Sequence, residues 1–208
     1  MRDETITVFL DQLAARVPAP GGGATAALHA AQSAALLAMV ARYSDSAKYD
    51  ADLMNHVITE ADGIRSDALT LAERDAAAFG AVADAYALPK ATDEERQARS
   101  AAITEALAGA ARPPADVIRL ALLLVSLAEE LRPAGNRNVI TDVAAAAEAA
   151  RAAAVTAQVN IEVNLRGMKD PTVEGELVMP ELAAGAEHGE AETQQDPGAG
   201  GADLSPGR

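Results

Sequence analysis

The chain has no cysteine and no tryptophan, and only 2 Phe and 3 Tyr. Without thiols there is no disulfide, no thiol nucleophile and no thiolate metal site, which fits a reducing compartment. In place of aromatics stand 52 alanines among 208 residues. Alanine is the best helix former and among the poorest strand formers, so an all-β fold is excluded and an α/β fold disfavoured. An apolar leader is missing too: Met1 is followed at once by Arg2, Asp3 and Glu4. No signal peptide is expected, and a cytoplasmic location is. Positive charge is also scarce, with a net charge of −14. Residues 174–208 hold eight acids (Glu174, Glu176, Glu181, Glu187, Glu190, Glu192, Asp196, Asp203) and one base, Arg208, so half of that excess belongs to the tail. The remaining body lacks the basic face that nucleic acid demands, so no nucleic-acid partner is expected.

The length suits one domain with a tail. From Ala183 onward almost nothing is apolar, and such a segment cannot offset its ordering entropy. The expected organisation is a helical domain over residues 1–182 and a disordered acidic tail over 183–208. Within the domain, 171–182 carries Val173, Leu177, Val178, Met179 and Leu182 and reads as an extended strap on the body. Breakers divide the rest: Pro18, Pro20 and the glycines after them, Leu88-Pro89, Pro113-Pro114, and the stretch from Pro133 to Gly135. They predict an all-α, six-helix, alanine-rich bundle of long helices near 4–17, 23–44, 51–87, 93–111, 114–132 and 139–166. Leu53, Val57, Ala61, Ile64, Ala68, Leu71, Phe79, Val82 and Tyr86 form the apolar stripe of the third helix. The runs from Ala24 to Val40 and from Val143 to Val155 are small and apolar on nearly every face. Thr25, His29, Gln32 and Ser33 in one, and Glu148 and Arg151 in the other, argue against membrane spans. The expectation is a homodimer joined through these helix faces, with no membrane partner.

Three constellations carry chemistry. In Pro18-Ala-Pro-Gly-Gly-Gly-Ala-Thr25, Gly21, Gly22 and Gly23 leave the first amides of a helix unobstructed, suiting an anionic or carbonyl ligand. The run equally serves as a plain interhelical turn, and it has neither the Lys-Ser/Thr of a P-loop nor a preceding strand. Asp75 stands four residues from both Leu71 and Phe79, a carboxylate inside an apolar stripe. There it needs a partner or a raised pKa, as a site residue or as a buried cap or ion pair. His29 lies on the second helix with Ser33, Leu36 and Val40, as a core or interface residue or a proton carrier. His56 falls on a polar face and His188 in the tail, so no metal site is expected. The third constellation, Gly135-Asn-Arg-Asn-Val-Ile-Thr-Asp142, gathers Asn136, Asn138, Thr141 and Asp142 at one helix start, more polar groups than capping requires. The helix dipole favours an ionised Asp142. Asn160 shares its azimuth five turns on, roughly 27 Å away, so those two cannot line one compact pocket within a subunit.

These motifs, with Ala47-Lys48-Tyr49, Asp75-Ala-Ala-Ala-Phe79, Leu88-Pro-Lys90 and Val159-Asn-Ile-Glu-Val-Asn-Leu165, resemble the cyclodeaminase/cyclohydrolase family, in order, over residues 4–170. The resemblance implies an all-helical homodimer acting on tetrahydrofolate one-carbon units. Cyclodeaminases of the family close 5-formiminotetrahydrofolate to the 5,10-methenyl form with loss of ammonia. Cyclohydrolases open the methenyl bridge with water to give 10-formyltetrahydrofolate. Deaminase-type members carry Ser after the three glycines, where this chain has Ala24 then Thr25, and often Pro where it has Arg137. They also have more uniformly small residues around the position of His29. These departures favour the cyclohydrolase, with the cyclodeaminase and a non-catalytic folate-binding or scaffold dimer as alternatives. The resemblance implies that the substrate is a tetrahydrofolate derivative and that no cofactor is tightly bound. On this reading Asp142, Asp75 and His29 border one catalytic pocket at the 21–23 helix start, where Asp142 activates water. Asn136 and Asn138 fix the pterin, Gly21, Gly22, Gly23 and Thr25 bind the substrate, and Lys48, Lys90 and Arg137 meet the anionic glutamate tail.

Overall fold

A computed structural model describes residues 2–168 and shows five helices there, with no strand among them. The expected strap at 171–182 and the tail at 183–208 lie outside the described residues. The helices are α1 (Ile6–Ala14), α2 (Gly22–Arg42), α3 (Ala51–Ala87), α4 (Asp93–Ala134) and α5 (Ile140–Arg166), the last preceded by a 3₁₀ turn (Arg137–Val139). Local chemistry sets most boundaries. The Asp50 carboxylate accepts the Asp52 and Leu53 amides to start α3, and Thr92 and Glu95 form a reciprocal capping box on α4. At the far end of α2, the Ser44 hydroxyl donates to the Val40 carbonyl and accepts the Asn136 amide, tying α2 to the turn before α5.

Helices α2, α3, α4 and α5 form a four-helix ring in which α2 packs on α3 and α5 and reaches α4 across the middle. Buried Ala24, Ala27, Ala30, Ala34, Ala38 and Ala41 permit that close approach. The apolarity of α2 therefore has an explanation within one chain. It has the length and hydropathy of a membrane-spanning helix, yet much of it is buried against α3, α4 and α5, while a face through Leu28, Gln32, Leu36 and Met39 stays partly exposed. On α5 the situation differs: Val155, Val159 and Val163, four residues apart, are 49%, 54% and 60% exposed.

The break expected between residues 111 and 114 does not occur, so the six helices are five. Pro113 and Pro114 lie buried inside the continuous α4. A proline at 114 removes the amide that would pair with the Ala110 carbonyl. The Asn164 side chain of α5, 54 positions away, donates to that carbonyl at 3.0 Å. Its apolar replacement, Asn164→Leu, orphans a buried acceptor and is expected to lower stability by about 1–3 kcal/mol, read from urea unfolding midpoints at constant slope.

The α3 stripe also bends away from the expected course. Up to Leu71 the predicted positions are buried or partly buried, but Phe79 and Tyr86 are 48% and 50% exposed. Val82 is buried as expected, and the inward face runs through it with Ala78 and Ala85 toward α4.

Candidate active site

The chain enters α2 through a cis Ala19–Pro20 bond and Gly21, the N-cap, whose missing side chain leaves the helix start without a local cap. Its cap comes from α3. The Asp75 carboxylate accepts the Ala24 amide, and it lies so close to the helix that a Cβ on Gly23 would fall 2.0 Å from its Oδ1. Burial pushes the Asp75 pKa above its ordinary value of 3.8, opposed in part by the Ala24 hydrogen bond. A Cβ on Gly22 would meet the Asn160 Nδ2 at 3.2 Å, whereas one on Gly21 would meet nothing within 4 Å. The Thr25 hydroxyl turns back to the Gly21 carbonyl, and Asn160 Nδ2 donates to the Thr156 carbonyl. Thus one helix start, a half-buried carboxylate with a raised proton affinity, and a carboxamide converge beside the open position of Gly21. Such a group is suited to exchanging protons with a ligand whose oxygen sits on the exposed amides.

Of the predicted residues, this cluster unites Gly21, Gly22, Gly23, Thr25 and Asp75. Asn160 was not among the predicted site residues. Its helical distance from Asp142, which argued against a shared pocket, was the available signal.

The other predicted residues collect elsewhere. Lys48, Asn136, Arg137 and Asn138, with Tyr49 and Asp50, line a hollow of about 460 Å³ at the opposite end of α2. The Asn136 side chain is engaged there on both sides, donating to the Tyr43 carbonyl at 2.7 Å and accepting the Asn138 amide at 3.1 Å. It acts as the clasp between the end of α2 and the start of α5. Lys48 lies over the Tyr49 ring, 4.7 Å from its centre. Asp142 is in the first turn of α5, at this same end. Since α2 has 21 residues, the two ends stand about 30 Å apart. The expected single pocket of Asp142, Asp75 and His29 is therefore not formed within one chain, because α2 and α5 run antiparallel. His29 is half-buried on the Gly22 face, about 10 Å up α2, and makes no hydrogen bond to Asp75. Lys90 is exposed beyond the end of α3, past about 18 Å of helix from Asp75, and so belongs to neither cluster.

Among the described residues the chain is an all-helical ring in which a carboxylate from a neighbouring helix caps a glycine-rich helix start. The chain belongs to the formiminotransferase-cyclodeaminase family, which it matches over residues 5–179. It is 41% identical over 172 residues to a methenyltetrahydrofolate cyclohydrolase of Methylorubrum extorquens, covering 81% of this chain and 82% of that one. It is 33% identical over 171 residues to the formimidoyltransferase-cyclodeaminase of Rattus norvegicus, where 81% of this chain spans only 32% of the relative. The crystal structure of a formiminotetrahydrofolate cyclodeaminase from Thermotoga maritima superposes with a TM-score of 0.79 at 29% identity, over 89% of this chain and 90% of that one.

Proposed function

We propose that the protein is an enzyme of tetrahydrofolate one-carbon chemistry, a methenyltetrahydrofolate cyclohydrolase. The observation that carries this reading is the Asp75 carboxylate seated on the Gly23 backbone, with its proton affinity raised by burial. The M. extorquens cyclohydrolase, matched along most of both chains, supports the same assignment. The T. maritima structure supports the ammonia-releasing cyclodeaminase as the second reading. Ionised Asp75 removes a proton from the water that attacks the methenyl carbon. It returns that proton to N5 as the bond from carbon to N5 breaks. The hydroxyl proton of the tetrahedral intermediate passes to solvent as the formyl carbonyl forms on N10. The amides at the start of α2 steady the incoming oxygen, and Asn160 addresses the pterin edge. These steps draw on no resident cofactor. Loss of methenyltetrahydrofolate absorbance on adding the protein tests the assignment. Ammonia release from 5-formiminotetrahydrofolate, with no hydrolysis of the methenyl form, would replace it with the second reading.

The same proposal includes a homodimer through α5. The stripe of Val155, Val159 and Val163 needs cover, and a two-fold axis crossing the outer face of α5 at Arg151, midway between Asp142 and Asn160, sets two α5 helices antiparallel and lays the stripe on the N-terminal half of the partner's α5. That places the Asp142 end of one protomer at the Asn160 end of its partner, joining in the dimer the two clusters that α2 separates in the chain. Cationic Lys48 and Arg137 would then come across the interface to the glutamate tail. Mixing inactive Asp75→Asn and Asp142→Asn chains should restore about a quarter of the wild-type rate, because half of the dimers are mixed and each has one intact site. No recovery after subunit exchange, or a mass of one 21.3 kDa chain in light scattering, removes the shared site.

A further inference from the structure

Of the two phenylalanines in the chain, Phe9 is buried and Phe79 is 48% exposed. Eighteen residues, five full helical turns, separate Phe79 from Ala61, so the two share one azimuth on α3, and Ala61 is completely buried. Phe79 thus continues a buried line of α3 and is uncovered only at its own level. The cause is the length of α2. The third helix runs back along α2 and reaches its first turn at Asp75, seated on the Gly23 backbone, so the residues after Asp75 pass beyond the start of α2. Phe79 stands one turn past Asp75, about 6 Å along the axis. Helical side chains lean toward the N-terminal end of their own helix, which tilts this ring back toward Asp75 and the open position of Gly21. Ala76, Gly80 and Ala83 around it are too short to shield it. Tyr86, the other exposed aromatic of this stretch, has cover of its own, the Arg99 guanidinium 5.5 Å from its ring centre. Among the described residues no ring or cation lies over Phe79. A phenyl ring has no polar tip to solvate, so a flat apolar partner recovers the burial that α2 does not supply.

We infer that Phe79 is a substrate-binding residue whose ring stacks on the aminobenzoyl ring of the tetrahydrofolate substrate. The inference rests on the folate activity proposed above. In such a substrate the reacting carbon bridges N5 of the pterin and N10, and the aminobenzoyl ring is carried on N10. With Asp75 at that carbon and Asn160 of α5 at the pterin edge, the N10 side falls to α3, where Phe79 supplies an exposed apolar face. The faces of the aminobenzoyl ring offer no hydrogen-bonding group, so an aromatic side chain suits them. This ring is unchanged by the reaction, so stacking strengthens ground state and transition state alike and acts on KM.

Phe79→Leu in the full-length chain keeps an apolar side chain and removes the aromatic face. It is expected to weaken binding of 5-formyltetrahydrofolate about tenfold in titration calorimetry. KM for methenyltetrahydrofolate should rise by a similar factor, with kcat within about twofold of the wild type. Phe79→Tyr should restore both values, and Tyr86→Leu should change neither. A tetrahydropterin formylated on N5, which lacks the aminobenzoyl ring, should inhibit the wild type and Phe79→Leu alike, or neither. Weaker inhibition of Phe79→Leu by this pterin overturns the inference by placing the pterin against the ring, and equal weakening in Tyr86→Leu overturns it too. Unchanged binding in Phe79→Leu with a lower melting temperature, or with an altered mass in light scattering, overturns it by showing that the chain itself or a second copy covers Phe79. If the wild type binds no folate, the activity assigned above falls and this inference with it. If the wild type binds folate and Phe79→Leu binds it equally well, this inference alone falls.

Discussion

Asp75→Asn is expected to lose about 10²–10⁴-fold in methenyltetrahydrofolate hydrolysis, the range for removal of a proton-transfer group. The same variant is expected to melt at a higher temperature than the wild type near neutral pH. The two effects have one cause. Burial raises the Asp75 pKa above 3.8, so the folded chain binds this proton more tightly than the unfolded chain does. Stability from this group is fully present below pH 3.8 and declines as pH rises through the raised folded value. Asparagine keeps an acceptor for the Ala24 amide and has no charge to bury. Its advantage in thermal melts should therefore appear above the ordinary carboxyl range and vanish in acid. Turnover in the wild type should rise with pH through the same folded value, since the ionised carboxylate is the base. A variant with wild-type turnover would remove Asp75 from the chemistry. One that is inactive and less stable at every pH would make it only a cap on α2.

Gly23→Ala is expected to be nearly as damaging as Asp75→Asn, through geometry. The added Cβ would lie 2.0 Å from Oδ1 and 2.3 Å from Cγ of Asp75, so the carboxylate must leave the helix start and release the Ala24 amide. Alanine in place of a helical glycine ordinarily stabilises by about 0.5–1 kcal/mol. A fall in melting temperature thus reports the clash, with overpacking costs of about 1–3 kcal/mol. Gly21→Ala, which meets nothing within 4 Å, should melt like the wild type or slightly above it. Adding Asp75→Ala to Gly23→Ala should recover stability and leave turnover absent. That pattern separates loss of the carboxylate from general unfolding, and full activity in Gly23→Ala would refute the close placement of Asp75.

What the sequence determined by itself was everything governed by near neighbours. Alanine content and breaker spacing set the helical class, and the expected span of the third helix coincides with α3 because Asp50 caps one end and Leu88-Pro89 closes the other. Asp75 was legible as a half-buried carboxylate in need of a partner because a carboxylate spaced by helical turns from Leu71 violates its own stripe. Gly21, Gly22 and Gly23 were legible as an uncapped helix start, and the family from the motifs in order. The tertiary structure alone decided which of these features meet. Pro113 and Pro114 carry the mark of a helix end, but a donor on α5 pairs with the Ala110 carbonyl that Pro114 leaves without its helical amide, and no local pattern encodes a partner 54 positions away. The all-round apolarity of α2 reads alike for a helix covered by three neighbours and for one covered by a second subunit. Only packing within the ring shows the three neighbours. Asp142 and Asp75 both looked like members of one pocket because sequence order has no length scale. The antiparallel course of α2 and α5 places them at opposite ends of a helix about 30 Å long, and Asn160, at the other end of α5 from Asp142, reaches the glycines instead.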